Sequence, residues 1–179
     1  MKKSLIILLI SILPLAGLSQ SAFDKFADLD NVTSVTVSKA MFDLIAKIGV
    51  DTNDAEAQEY IEMAEKLSGL KVFTTDDATI SKDMQYTVNK YLKSASLIEL
   101  IQVKDKEADI KFYIKEGKDK DHVSELLMFL TSMKNIEIEG RKFETVLLSL
   151  TGDIELSKIG ALTSKMNLPK ELNNAGGNN

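Results

Sequence analysis

The chain has 179 residues, 44% of them apolar and 27% charged, with a formal net charge of −5. Cysteine and tryptophan are absent and there is one histidine, which excludes disulfides, thiol chemistry and cysteine-based metal sites and removes the commonest sugar-stacking platform. A mildly acidic, well-mixed sequence with Arg141 as its sole arginine argues against nucleic acid, whose binding demands clustered Lys and Arg.

The first element is a leader. Met1 is followed by Lys2 and Lys3, an apolar run from Leu5 to Leu13, then Pro14 and the small residues Ala16, Gly17 and Ser19. A positive start, an apolar stretch too short to span a bilayer and small residues before a polar segment make a secretory signal peptide over residues 1–20. Pro14 and Gly17 break the helix that an uncleaved anchor would continue. The expected cut falls after Ser19 or Gln20, and no cysteine stands beside it to carry a lipid. The mature protein is therefore expected to be soluble, periplasmic or secreted, with no stable membrane anchor. About 160 residues remain after cleavage, and one domain is expected over 21–172. Loss of Lys2 and Lys3 takes its formal charge to −7.

Phe23 to Asp30 reads as a short lead-in with a helical turn. Val32, Val35 and Val37 among Thr and Ser make a first strand. Met41, Leu44, Ile45 and Ile48 recur at helical spacing, so Lys39–Ile48 is an amphipathic helix ended by Gly49. Asp51 to Asp54 caps a second helix in which Ala57, Ile61, Ala64 and Leu67 face one way, with Gly69 ending it. Leu70 to Thr74 is a short strand. Asp76 or Asp77 then caps a longer helix with Ile80, Met84, Val88 and Tyr91 on one face.

From here the period changes to two. Leu97 to Lys104 is a strand, Lys104 to Glu107 a charged hairpin turn, and Ile110, Phe112 and Ile114 alternate with Lys111, Tyr113 and Lys115 in the next strand. A turn around Gly117 leads to strands over Val123–Thr131 and Thr145–Thr151, joined by a connection around Gly140. Asp153 caps a final helix burying Ile154, Ile159, Leu162 and Met166, which Pro169 stops. The Asn- and Gly-rich tail, 173–179, has nothing to bury and is expected to be disordered. Helical crossovers in the first half favour parallel strand relations. The expected fold is α+β, a mixed sheet ending in an antiparallel four-strand meander with helices mainly on one face.

Motifs that carry chemistry are sparse. His122 lies in the polar turn Lys118-Asp119-Lys120-Asp121 and could act as a general base with Asp119 or Asp121, but that loop lacks a shell to fix it. Ser68-Gly69-Leu70-Lys71 fits the Ser-x-x-Lys spacing of penicillin-recognising enzymes without their further motifs, and a helix ending at Gly69 would make the two side chains diverge. Asp51-Thr52-Asn53-Asp54 with Glu62 is similar to a calcium loop, but Ala55 and Glu56 occupy positions where that loop needs a ligand and glycine. Helix capping explains the same residues. No phosphate-binding glycine loop occurs, and one histidine without cysteine leaves no zinc or iron site. The expectation is a protein that is not an enzyme, with no cofactor and no metal.

One feature exceeds ordinary packing. The meander strands are apolar on both faces. In one register Leu97, Ile101, Val103, Leu127, Phe129, Val146, Leu148 and Leu150 face the helices. The other register offers Ile98, Leu100, Tyr113, Leu126, Met128, Leu130 and Leu147, and is the candidate interaction face unless another part of the chain covers it.

The order of elements, the Val-Phe-Thr before a capped helix, the hairpin SLIELIQVKDKEADIKFYIKEG and the ending LLSLTGDIELSKI resemble a family of small exported proteins typical of Bacteroidetes, domain-of-unknown-function family four-two-five-two. The resemblance covers nearly the whole mature chain. It implies an envelope or secreted protein without assigned activity, and a part in envelope signalling. Some relatives carry a lipid-modified cysteine after the signal, which this chain lacks. No functional residue carries over, because the family has none established. The function expected is an exported, non-catalytic module that binds an unknown protein partner or self-associates weakly. The alternatives are a carrier of an apolar small molecule or lipid and, third, a hydrolase.

Overall fold

The computed structural model describes residues 22–49, 55–104, 106, 108–131, 137–138 and 141–158. The leader, the Asp51–Asp54 turn, the final helix beyond residue 158 and the tail lie outside the described residues. A 3-10 turn, Asp24–Phe26, precedes β1 (Thr33–Ser38), α1 (Lys39–Gly49), α2 (Ala55–Lys66), β2 (Leu67–Thr75) and α3 (Ala78–Ala95). The strands β3 (Ile98–Lys104), β4 (Asp109–Glu116) and β5 (His122–Thr131) follow, then a small hairpin of β6 (Glu137–Ile138) and β7 (Arg141–Lys142), and β8 (Thr145–Glu155).

Six of these strands form one sheet in the order β1-β2-β8-β5-β4-β3, and every neighbouring pair is antiparallel. The fold is α+β and the four-strand meander is present, with the β6–β7 hairpin inserted before its last strand. The expected parallel relations are corrected. Two helices, not one, separate β1 from β2, so the chain reverses an extra time and the strands meet antiparallel. A single helix does separate β2 from β3, but three strands lie between them. The α3 crossover spans that gap: eighteen residues make about 27 Å of helix, against roughly 19 Å for four strand spacings.

The expectation of helices mainly on one face is also corrected. One apolar cluster joins Phe42 of α1 and Ala64 of α2 to Val37, Leu67, Phe112, Leu126, Met128 and Leu150 of the sheet. The other joins Met84, Val88 and Tyr91 of α3 and the lead-in residues Phe23 and Phe26 to Phe73, Tyr113, Leu127, Phe129 and Leu147. The sheet is therefore a buried middle layer, which explains why its strands are apolar on both sides. In α3 the face Met84, Val88, Tyr91 is buried as its spacing requires, with Ile80 half-buried. Asp77 is the cap: its Oδ1 accepts from the Thr79 and Ile80 backbone N–H at 2.7 and 3.0 Å.

Two boundaries differ from expectation. The second helix stops at Lys66 and β2 starts at once with Leu67, so Leu67 and Gly69 are strand residues. At the other end β8 runs on to Glu155, so Asp153 and Ile154 belong to a strand and Asp153 caps no helix. Both differences meet at Gly152, the register partner of Leu67. Its φ of +150° suits glycine alone, and a Cβ there would lie 2.5 Å from the Lys66 carbonyl oxygen and 2.7 Å from the Leu67 Cα. Glycine lets the α2–β2 junction dock against β8 without a loop. Gly152→Ala is expected to destabilise the protein by about 2 kcal/mol or more, read from the urea midpoint. An unchanged midpoint would show that this junction yields freely.

Candidate functional site

On the α3 side of the sheet, β5 contributes Glu125, Leu127 and Phe129 and β8 contributes Thr145, Leu147 and Ser149. Glu125 is 1% exposed, an unusual place for a carboxyl. Its Oε2 accepts from the Tyr91 hydroxyl at 2.6 Å and its Oε1 from the Ser149 hydroxyl at 3.2 Å. The Tyr91 ring is in turn held edge-on by Phe23, with centroids 5.1 Å apart. Burial pushes the Glu125 carboxyl above its ordinary range, against the pull of the two hydrogen bonds and the charge of Lys115. Sequence reading missed this trio. Its signal is a lone acidic residue opening the apolar run Leu126–Leu130. Chemically it is a structural bond, because Tyr91 and Ser149 occupy both carboxyl oxygens and all three residues are buried.

The lone histidine opens β5, three residues before Glu125. His122 Nδ1 lies 2.6 Å from Asp119 Oδ1, and its Nε2 faces Asp153 Oδ1 at 3.9 Å. Lys118 donates to Asp153 at 2.6 Å, and Lys66 of α2 donates to Glu155 at 2.6 Å. The His122 hydrogen bond holds the Asp119 carboxyl below the usual range, and the Lys118 ammonium does the same for Asp153. The pairing of His122 with Asp119 is thus real, and the second nitrogen faces another carboxylate. The cluster fastens the β4–β5 turn to the end of β8. Ser68 and Lys71 both stand on β2, not on a helix: Ser68 Oγ donates to Thr151 Oγ1 at 3.1 Å, and Lys71 pairs with Asp24. Of the calcium-like residues only Glu62, in α2, is among those described, and no cluster of three or more acidic or histidine side chains among the described residues is placed to hold a metal ion.

The seven residues of the candidate interaction face do not form one surface. Leu126, Met128 and Leu130 are buried in the cluster on the α1–α2 side, whereas Tyr113 and Leu147 are buried under α3. Ile98 and Leu100 lie on β3 and are each 50% exposed. The companion register is divided too: Val146, Leu148 and Leu150 face α1–α2, and Leu127 and Phe129 face α3. Strand phase is the reason. Leu126 pairs across to Leu150 and Phe129 to Leu147, so the apolar faces of β5 and β8 are offset from the assumed parity.

The free apolar surface lies elsewhere. In α1 Phe42, which packs in the sheet cluster, and Ala46 are buried, while Met41, Leu44 and Ile45 stay nearly half exposed and Ile48 is 74% exposed. The stripe read as the buried face is the outer one. Its signal is that α1 has more apolar positions than one face can bury, with only Lys39, Asp43 and Lys47 charged. Lys39 Nζ donates to the Glu65 carbonyl of α2 at 3.0 Å, so the charged flank looks toward α2. The apolar stripe therefore lies away from α2, on the side of the β1 sheet edge. Val35 of β1 is 49% exposed and, two residues from Val37, lies on the sheet face that α1 covers. A cavity of about 340 Å³ opens beside the other end of β1, but Asp30, Asn31, Thr33, Thr74, Thr75 and Asp76 make its walls polar.

A family model describing a domain of unknown function, DUF4252, matches residues 26–162. The chain belongs to the DUF4252 family. Comparison with curated proteins and with solved structures finds no significant match. In this DUF4252 domain the matched region holds every strand of the sheet, the Glu125 trio, the His122 cluster and the exposed stripe of α1.

The Glu125 carboxyl gives the domain a specific pH signature. A carboxyl raised on folding contributes stability that is present below its unfolded range and lost as pH rises through the raised value. Glu125→Gln keeps an acceptor for Tyr91 and a group able to bond Ser149 without the charge. It is expected to melt at least as high as wild type at about pH 8, the difference shrinking toward about pH 4. A variant that melts far lower at high pH would show that the carboxylate charge itself is needed.

Proposed function

We propose that this chain is an exported, non-catalytic interaction protein, working in envelope signalling, whose binding surface is the exposed stripe of α1 together with β1. The leader supports export: a basic start, a short apolar run and small residues before the expected cut. The observation that carries the reading is the exposed apolar stripe Met41, Leu44, Ile45 and Ile48 on one flank of α1, with exposed Val35 on β1, whose outer side has no partner strand among the described residues. Scattered exposed apolar residues need no explanation, but a contiguous group on one helix flank does. The polar walls of the cavity near Asp30 and Thr75 give no support to a carrier of apolar molecules.

A photo-crosslinking residue placed at Ile45 in the exporting host, and separately at Lys90 on the outer side of α3, tests the reading. A discrete adduct in the envelope or secreted fraction from position 45, and none from position 90, is the expected result. Equal labelling from both positions, or no adduct from either, would overturn it.

A further inference from the structure

The two edges of the sheet are built differently. The β3 edge, Ile98–Lys104, carries Glu99 and Lys104 and a bulge at Leu100, where the register with β4 shifts between Glu99 and Ile101. Charges and bulges are how an edge strand is kept from pairing with another chain. The β1 edge has none of these. Thr33–Ser38 holds no charged residue and no proline, and it pairs with β2 without a register shift. Its outer edge has no partner strand among the described residues.

The sequence of β1 also has two-fold symmetry. Ser34-Val35-Thr36-Val37-Ser38 reads the same in both directions. Two copies paired antiparallel about Thr36 would set Val35 opposite Val37 of the other copy and Ser34 opposite Ser38. Such β-branched pairs stabilise a sheet, and no charge opposes another across this axis. The same rotation brings the two α1 stripes to the same side of the joined sheet, because Val35 and Val37 share the face on which α1 packs. Five side chains, four of them nearly half exposed and Ile48 74% exposed, offer on the order of 500 Å² per copy; two copies reach about 1,000 Å² before backbone is added, the lower limit for a specific interface.

We infer that the partner of the β1–α1 surface is a second copy of this chain, joined through antiparallel β1–β1 pairing into one continuous sheet with the α1 stripes packed together. This rests on the surface proposed above and names its occupant. The absence of cysteine makes the geometry directly testable. A two-fold axis through residue 36 sets the two Cβ atoms about 5 Å apart, close to disulfide reach. Thr36→Cys, an exposed position, is expected to give a covalent dimer under mild oxidation, while Lys90→Cys stays monomeric. Purified wild type should sediment as a concentration-dependent dimer, and Ile48→Lys should raise its dissociation constant at least about tenfold. Far-UV circular dichroism, unchanged from wild type, shows that each variant is folded.

A wild type that stays monomeric across the concentration series overturns the inference. So does a dimer insensitive to Ile48→Lys whose Thr36→Cys form does not cross-link. The mass of the Ile45 photo-adduct separates the two proposals. Twice the chain mass supports the second copy, whereas a different protein's mass overturns it and leaves the interaction reading standing.

Discussion

The pairing of β5 with β8 is the constraint on which the molecule depends. These central strands are apolar on both sides, so one ladder supplies the floor of two separate cores. Leu126 with Leu150, Met128 with Leu148 and Leu130 with Val146 face α1 and α2, while Phe129 with Leu147 faces α3. A slip of one residue would exchange the faces. Apolar contact alone resists such a slip weakly when both sides are apolar. Buried polar groups resist it strongly, because each finds its partner in one register only. Glu125 of β5 meets Ser149 of β8 and Tyr91 of α3, and Thr145 of β8 meets Ser81 of α3 at 2.5 Å. After a slip, a carboxyl would face an apolar layer without its two donors, a costly state.

That arrangement explains what could be read in the sequence. Local signals were legible: the amphipathic run of α3 with Asp77 as cap, the alternation of Ile110, Phe112 and Ile114, and the meander order all appear in the structure. Strand phase was not. Leu126–Leu130 and Val146–Leu148 are unbroken apolar runs, so alternation cannot say which residues share a face. The seven-residue interaction face failed for that reason. The α1 stripe failed for a related one, since Met41, Leu44, Ile45 and Ile48 have the spacing of a buried face while Phe42 and Ala46 fill that role. Helix sidedness failed because periodicity identifies a helix's apolar stripe but not the sheet face that will receive it.

The polar chemistry divides in two. The His122 cluster joins the β4–β5 turn to β8 and to α2 through charged hydrogen bonds at one rim of the sheet. Its groups are part of the architecture of that rim. The surface best suited to binding is instead apolar and lies at the β1 edge of the sheet, where β1 ends and α1 begins without a loop. The contrast between β3, with its charges and bulge, and the plain β1 edge ties the binding proposal to a property of the fold: one edge carries the features that discourage strand addition and the other has neither.

Backbone hydrogen exchange, followed peptide by peptide over a dilution series, tests most directly whether the molecule closes both sheet faces by itself and keeps β1 as its open edge. Amides of 126–130 and 146–150 should exchange slowest, at rates independent of protein concentration, and those of 33–38 should gain protection only as concentration rises. Central strands that become protected only in concentrated protein, or a β1 that is already the slowest segment in dilute solution, would contradict it.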